Sequence, residues 1–339
     1  MRIVFLGTPD VAVPALTALV DAPDVEVAAV ITNPDRARGR SGRPVASPVK
    51  VAAEAAGLPV WQPVKPREIL DDLRALEIDA CAVVAYGALL PTDVLEAGGR
   101  GFVNLHFSLL PRWRGAAPVQ HAIRVGDAET GITTFVLDKG MDTGPVIDRL
   151  RVPIDPAESA GELLARLADL GAPLLVDSLR ALVSGSREPE PQPAEGVTLA
   201  PKITPEDVAI DFGAPVHDVV NLIRSADPAP GAHTRFRDRR LKVLRAVPVD
   251  PDDATDHDAD VTGHASEGSA AAAPPGTVVA APRSGVVVAC GDGLVRLDEV
   301  QPEGKARMDG AAFANGYHPE VGERFGGEAP VASSGSSGA

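Results

Sequence analysis

The sequence is short of cysteine and of uninterrupted apolar runs, and each shortage excludes a class of protein. Its two cysteines, Cys81 and Cys290, lie far apart and lack Cys-x-x-Cys or Cys/His spacing. A disulfide framework and a thiolate zinc site are therefore excluded as leading interpretations, and we expect no metal. The longest apolar run, residues 80–90, has 11 residues, whereas a membrane-spanning helix needs about 20. With only a short apolar run at residues 3–6, the sequence shows no signal peptide, which predicts a cytoplasmic protein with no membrane partner.

Positive charge is also in deficit over the whole chain. There are 32 basic against 47 acidic residues, a formal charge of −15. This balance excludes a uniformly basic surface, so any nucleic acid must meet a local basic patch. Apolar residues make up 45% of the chain, which is too many for general disorder.

The first half of the chain alternates strand-like with helix-like segments. The patterns predict strands over 2–7, 25–32, 78–85 and 101–106, a β-ribbon over 131–152, and helices over 14–20, 49–56 and 159–183. Repeated βα units indicate an α/β fold with a Rossmann-like, open, mostly parallel sheet. We assign this domain to residues 1–185.

The second half has a different composition. Residues 186–205 are rich in proline and are predicted to be an interdomain linker. Short strand patterns in 206–325 predict a small C-terminal β-barrel of the OB-like type, although another sheet arrangement fits the residues as well. Residues 251–275 contain six acidic residues and no Lys or Arg, which predicts a disordered insertion, and the tail 326–339 is also predicted to be disordered.

The turn after the first strand argues against a nicotinamide cofactor. In Gly7-Thr8-Pro9-Asp10, Pro9 and Ala12 occupy the second and third glycine positions of the dinucleotide fingerprint. Asp10 could cap the following helix or contact a ligand, and the residues leave both readings open.

The strongest candidate site follows the predicted strand 101–106. Asn104 and His106 point to the same face at its carboxyl end, the edge where open α/β sheets bind ligands. An amide donor beside an imidazole suits the stabilisation of an oxyanion and the movement of a proton. The alternative is a strand end whose polar side chains bond only the neighbouring loop. The apolar loop Ser108-Leu109-Leu110-Pro111 could hold a flat heterocycle through its main chain.

Two acids bracket a glycine turn further along the chain. Asp138 and Asp142 flank Gly140, and one of them could face the imidazole and bias its protonation. Both could instead only favour the turn, which is our interpretation of Asp138.

Two local basic clusters stand against the acidic background. The long connection 33–47 carries Arg36, Arg38, Arg40 and Arg43 with Asp35 as its one acid, a pattern that suits phosphate contacts. A second cluster lies in the C-terminal domain and contains Arg235, Arg237, Arg239 and Arg240, followed by Lys242 and Arg245. Solvated arginine-rich loops are the alternative for both.

Taken together, Asn104-x-His106, the Ser-Leu-Leu-Pro loop and Asp142 in a Met-Asp-Thr-Gly turn resemble the formyltransferases that use 10-formyltetrahydrofolate. Within that superfamily, the chain from Arg2 to about Phe325 resembles the methionyl-tRNA formyltransferases, on four segments: 5–10, 34–36, 47–50 and 111–118. The departures are Phe107, where relatives often carry a small residue, and the acidic insertion with the tail.

The resemblance implies transfer of a formyl group from 10-formyltetrahydrofolate to the α-amine of methionine on initiator tRNA. Separately, we expect the protein to act as a monomer. Asn104, His106 and Asp142 match the catalytic positions, Ser108 to Pro111 the folate-binding loop, and Arg40 the key position of a loop that reads the acceptor stem. Asn104 and a protonated His106 would stabilise the oxyanion, and Asp142 would orient His106.

Three other functions fit part of this pattern. A sugar-nucleotide N-formyltransferase shares the pocket but does not need the arginine loop. A purine-pathway formyltransferase would leave the second domain unexplained. A non-catalytic RNA-binding protein would not need Asn104, His106 and Asp142 together.

Overall fold

The computed structural model describes residues 1–37, 42, 44–250, 273–282 and 285–326. The chain forms two compact units, and each is assembled from three separate stretches of the sequence. The first unit contains Met1–Val119, Ala128–Asp155 and Glu162–Lys202. The second contains Gln120–Asp127, Pro156–Gly161 and the chain from Ile203 onward.

The first unit is built on a seven-stranded sheet with the order β5-β2-β1-β6-β7-β8-β9, while β3 and β4 pair separately. The strands are β1 (Arg2–Gly7), β2 (Glu26–Ile31), β3 (Arg36–Ala37), β4 (Pro44–Val45), β5 (Val60–Trp61), β6 (Ala80–Val84), β7 (Phe102–His106), β8 (Glu129–Val136) and β9 (Val146–Pro153). The pairs from β5 to β7 are parallel, and β8 and β9 run antiparallel. The predicted α/β, mostly parallel sheet is confirmed.

The sheet follows from the distribution of apolar residues. Residues Ile3 to Leu6 of β1 are completely buried, as expected for a central parallel strand covered on both faces. The predicted β-ribbon is the antiparallel pair β8 and β9, whose short connection cannot make the crossover that parallel pairing requires.

The helices are α1 (Val13–Asp21), α2 (Pro48–Ala55), α3 (Leu70–Ala75), α4 (Thr92–Leu95), α5 (Pro118–Arg124) and α6 (Ala160–Ser184). Helix α2 begins where the sequence predicts. The Ser47 hydroxyl accepts a hydrogen bond from the amide of Lys50 at 3.0 Å, and Pro48 takes the first helical position. In the described part of the chain, no helix is both long and apolar enough to span a membrane.

The second unit is a curled antiparallel sheet with the order β10-β11-β14-β13-β12, and β15 pairs with β14. Its elements are α7 (Val216–Ala226), β10 (His233–Phe236), β11 (Arg239–Val249), β12 (Val278–Ala280), β13 (Val286–Ala289), β14 (Leu294–Pro302), β15 (Met308–Asp309) and α8 (Gly310–Tyr317). Phe325 forms a bridge with Phe236, and Arg324 forms one with Thr277, so residues 324–325 join both edges of the sheet. This is the barrel-like arrangement predicted from the sequence.

Two upstream segments belong to this second unit. The amide of Gly161 donates to the carbonyl of Asp227 at 3.0 Å, and Arg224 donates to the carbonyl of Glu158 at 3.2 Å. Gly126, in the first of these segments, has φ +76°, a backbone conformation that favours glycine.

The structure describes different parts of the three segments that were predicted to be disordered or to form a linker. Residues 251–272 and 327–339 lie outside the described residues. Ala273, at the end of the predicted insertion, packs against the apolar cluster of Val287, Ala289 and Leu294. Residues 186–202 of the predicted linker belong to the first unit, where Glu190 and Val146 exchange backbone hydrogen bonds of 2.7 and 2.8 Å.

Candidate active site

Strand β7 delivers Asn104 to the carboxyl end of the sheet. Asn104 is half-buried between Val83 of β6 and Phe135 of β8, its register partners. Its side-chain amide makes no hydrogen bond to the residues that the structure describes, so its donors are available to a ligand.

His106, two residues further on the same face, is buried and oriented. Its Nε2 donates to the carbonyl of Trp113 at 2.9 Å, and its ring meets Phe135 edge-on at 6.3 Å between centroids. Because a carbonyl only accepts, the Nε2 atom carries the proton of the neutral ring and Nδ1 is left as an acceptor. Nδ1 lies 3.8 Å from Oδ2 of Asp142.

Burial determines the charge of this ring. It lowers the pKa of His106, and the charge of Asp142 and the Trp113 carbonyl oppose that effect only in part. The imidazole is therefore neutral at rest. The sequence alone leaves this protonation state open, since it does not show that a strand-end histidine is only 6% exposed.

Asp142 and Asp138 have different roles in the turn 138–144. Asp142 has φ +53° and accepts a hydrogen bond at Oδ2 from the amide of Gly115 at 2.8 Å. The carboxylate of Asp138 accepts from the amide of Gly140 at 2.9 Å and from the hydroxyl of Thr143 at 2.7 Å. Asp138 therefore stabilises the turn, and Asp142 faces the histidine.

Asn104, His106 and Asp142 line one cavity of about 640 Å³, called here the strand-end cavity. It is within the range of small-molecule sites. Its walls come from four stretches: Val83 and Ala85 to Leu90 with Leu95, Asn104 to Phe107, Gly115 and Ala116 with Pro118, and Leu137 to Asp142.

The predicted folate loop, Ser108 to Pro111, does not line this cavity. Thr133 bonds both the carbonyl of Ser108 and the amide of Leu110, at 2.7 and 3.1 Å. Arg149 donates to the carbonyl of Leu110 at 3.2 Å, and the Ser108 hydroxyl donates to the carbonyl of Arg112 at 2.6 Å. These bonds engage the carbonyl of Ser108 and both main-chain polar groups of Leu110 within the protein. The folate-binding role of the loop stays a prediction.

Residues 85–90 form the wall that sequence reasoning missed. The Tyr86 carbonyl accepts hydrogen bonds from Asn33 at 2.7 Å and from Thr8 at 3.1 Å, and Ala85 and Gly87 have φ +46° and +78°. The signal was available, because the rule that ligands bind at carboxyl ends of parallel strands applies to β6 as well as to β7.

The first arginine cluster is described in part. Arg36 lies on β3 and is exposed, whereas Arg38, Arg40 and Arg43 lie outside the described residues. Asp35, the acid of this connection, forms an ion pair with Lys50 at 2.8 Å, which lowers the pKa of the Asp35 carboxyl.

The second arginine cluster lies on the hairpin of β10 and β11. Arg237 pairs with Glu323 at 2.6 Å, and Arg235 donates to the carbonyl of Asp238 at 2.9 Å. Arg239 and Arg240 are exposed, and their side chains have no partner among the described residues. Arg235 and Arg237 are therefore engaged within the protein, whereas the side chains of Arg239 and Arg240 are available to a ligand.

Two protein-family models match the chain and indicate its class of enzyme. Residues 1–179 match the family model "Formyl transferase", and residues 202–318 match "Formyl transferase, C-terminal domain". Both models describe formyl transferases, and the chain is an N-formyltransferase by class.

Similar sequences narrow this class. The chain is 48% identical over 328 residues to a "Methionyl-tRNA formyltransferase" of Streptomyces coelicolor, covering 96% of this chain and 100% of the relative. It is also 48% identical to the enzyme of that name from Thermobifida fusca, covering 96% and 99%. The chain therefore belongs to the methionyl-tRNA formyltransferase family.

Solved structures share the fold at low identity. HypX from Aquifex aeolicus in complex with tetrahydrofolic acid has a TM-score of 0.62 at 16% identity, and the match covers 95% of this chain but 48% of HypX. The sugar 3N-formyl transferase WlaRD has a TM-score of 0.62 at 17% identity, with 90% and 99% covered.

Proposed function

We propose that the protein transfers the formyl group of 10-formyltetrahydrofolate to the α-amine of methionine on initiator tRNA, for translation initiation. The observation that carries the proposal is the meeting of Asn104, His106 and Asp142 at one cavity, in a chain of this family. We place its action in the cytoplasm, where translation uses the product, and we propose that it acts as a monomer.

The reaction begins when the amine attacks the formyl carbon. A carbon–nitrogen bond forms, and the carbonyl electron pair moves to oxygen. The free amide of Asn104 donates a hydrogen bond to this oxyanion. An α-amine has a pKa of about 7.7–8.0, so roughly a tenth or more is already the neutral nucleophile at physiological pH.

The proton of the attacking amine then needs an acceptor. Nδ1 of the neutral His106 takes it, and the carboxylate of Asp142, 3.8 Å away, stabilises the imidazolium that results. The electron pair on the oxyanion then re-forms the carbonyl, the bond from carbon to N10 of the folate breaks, and N10 leaves with that bonding pair and takes the proton from His106. His106 returns to its neutral form, and the formylated amine leaves.

The folate donor is assigned to the strand-end cavity. Its pterin would lie against the loop 85–90 and the turn 138–142, whose residues line the cavity. Ser108 to Pro111, matched to the family's folate loop, would act by supporting this site, since the contacts of Ser108 and Leu110 are internal.

The tRNA is assigned to the two arginine clusters. Arg36, Arg38, Arg40 and Arg43 would follow phosphates near the acceptor end, and Arg235, Arg237, Arg239 and Arg240 would meet the backbone elsewhere. We infer that the first unit is catalytic and that the second is a tRNA-binding domain.

One competition assay tests the function. The protein is incubated with 10-formyltetrahydrofolate and offered methionyl initiator tRNA, a 4-amino sugar nucleotide or glycinamide ribonucleotide. We expect formylated methionyl-tRNA as the main product. Preferential formylation of the sugar nucleotide would overturn the proposal in favour of a sugar N-formyltransferase, and tRNA binding without any product would indicate a non-catalytic RNA-binding protein.

A further inference from the structure

Gln192, in the proline-rich segment predicted as a linker, contacts the turn that carries Asp142. Its Nε2 donates to the carbonyl of Asp142 and to the carbonyl of Gly144, both at 2.8 Å. One side-chain amide therefore uses both of its N–H groups on the main chain of this turn.

The other end of the same amide holds the opposite side of the site. Oε1 of Gln192 accepts from Arg114 at Nε, 3.1 Å, and at Nη2, 2.7 Å. The next residue, Gly115, donates its amide to the carboxylate of Asp142 at 2.8 Å. Gln192 thus ties together the two chain segments between which the Asp142 carboxylate is held.

Both segments have backbone conformations that need external support. Asp142 has φ +53°, and Trp113, whose carbonyl orients His106, has φ +62°. Non-glycine residues in this region persist when their surroundings determine them strongly. Asp142 is strained in the place where its carboxylate must face Nδ1 of the imidazole.

The segment that carries Gln192 is itself fixed on both sides. Before it, Glu190 exchanges two backbone hydrogen bonds with Val146. After it, Thr198 accepts at its hydroxyl from the amide of Trp113 at 2.8 Å, and Ala200 donates to the carbonyl of Arg114 at 2.7 Å. Gln192 is therefore a rigid support for the turn.

We propose that Gln192 is a positioning residue of the formyl-transfer site, which sets the carboxylate of Asp142 against His106. The inference rests on the proposed function and deepens it. Gln192 touches no reacting atom. Its substitution should therefore lower kcat and leave the KM values of both substrates within about twofold, whereas a tRNA contact in the linker would change KM.

Two variants separate the contacts of the amide. Gln192→Glu keeps an acceptor for Arg114 but loses the two donors to the turn, and Gln192→Ala loses both. We expect a fall in kcat of about 10- to 100-fold for each, since misplacing a catalytic group by about 1 Å can cost about 100-fold. Glu195→Gln, at an exposed position of the same segment, should match the wild type. A Gln192→Glu variant with wild-type kcat would overturn the proposal.

A double-mutant cycle gives a readout that a purely structural role would not move. If Gln192 acts through Asp142, Gln192→Glu should add little to the loss already caused by Asp142→Asn. Additive losses would contradict the proposal.

A second measurement separates this idea from the proposed function. NMR titration of the His106 ring in the full-length protein should give a lower pKa in Gln192→Ala, which adds no charge, than in the wild type, since the carboxylate that raises this pKa is displaced. An unchanged pKa would overturn the positioning role even if no acceptor were formylated. If the wild type formylates no methionyl-tRNA but its His106 pKa is higher than that of the variant, only the proposed function is overturned.

Discussion

Oδ2 of Asp142 lies 3.8 Å from Nδ1 of His106, too far for a hydrogen bond but close enough for its charge to act. The other imidazole nitrogen is already bonded to the Trp113 carbonyl, so Nδ1 is the atom left to receive a proton. In the mechanism proposed above, Asp142 stabilises the imidazolium that forms when Nδ1 takes this proton.

The buried neutral imidazole predicts a pH dependence of stability. Because burial lowers the pKa of His106 in the folded state, the unfolded chain binds more protons as the pH falls below about 6.5. The free energy of unfolding should therefore fall between pH 7.5 and pH 5.5, with His106 contributing up to about 1 kcal/mol. Urea unfolding of the wild type and His106→Gln checks this, and the exposed His217→Gln serves as control. Equal losses in wild type and His106→Gln would show that folding does not lower the pKa of His106.

Removing the donor of Asn104 should affect the chemical step. Asn104→Ala is expected to lower the single-turnover rate about 100- to 1,000-fold, the usual effect of losing one oxyanion donor. Asn104→Asp has nearly the same shape but repels the oxyanion, and it should be at least as impaired. Asn315→Ala, on the exposed face of α8, is the matched control. Near-normal turnover of Asn104→Ala would remove this residue from the mechanism.

The wall formed by residues 85–90 can be tested at Leu89, whose side chain lines the strand-end cavity and is 84% exposed. An apolar residue left exposed at a cavity mouth gains contact only when a ligand covers it. Leu89→Asp should raise KM for 10-formyltetrahydrofolate about tenfold and leave KM for methionyl-tRNA unchanged. Val64→Asp changes a similarly exposed residue outside the cavity and should leave both KM values unchanged. An unchanged folate KM in Leu89→Asp would place the donor elsewhere.

Arg40 should act on tRNA without affecting the folate site. Arg40→Ala is expected to raise KM for methionyl-tRNA and to make the salt dependence of binding shallower by about one unit of slope, because one phosphate contact is lost. Arg74→Ala, which removes an exposed arginine of α3, is the control. Binding assays from low to high salt give the slope. If Arg40→Ala follows the control, the loop does not contact the tRNA.

The arginines of the β10–β11 hairpin should contribute unequally to tRNA binding, depending on whether each already has a partner in the protein. Arg239 and Arg240 have no side-chain partner among the described residues, whereas Arg237 is paired with Glu323. The double variant Arg239→Ala/Arg240→Ala should weaken tRNA binding and reduce the salt slope by about two. Arg237→Ala should change binding less, since its charge is already compensated. Equal losses would mean that the ion pair opens when tRNA binds.

The sequence was most informative where a local pattern carries the physics. Continuous apolar runs predicted the central strands, and the two-residue alternation placed Asn104 and His106 on one face of β7. Ser47-Pro48 predicted the start of α2 because a cap depends on neighbouring residues.

Local sequence patterns could not predict contacts between residues that are far apart in the sequence. Composition marks 186–205 as a linker, but it cannot show that Gln192 bonds the turn of Asp142, 50 residues earlier. The carbonyl of Ser108 is bonded by Thr133, which lies 25 residues later on β8. The burial that neutralises His106 is likewise a property of the assembled sheet.

The interleaving of the two units has a consequence for synthesis on the ribosome. Residues 156–161 emerge early, yet Arg224, which bonds the carbonyl of Glu158, follows 66 residues later. At about 5–20 residues per second, that interval is about 3–13 s. During it residues 156–161 lack the bond that Arg224 supplies, and a polypeptide truncated at residue 185 would lack it permanently.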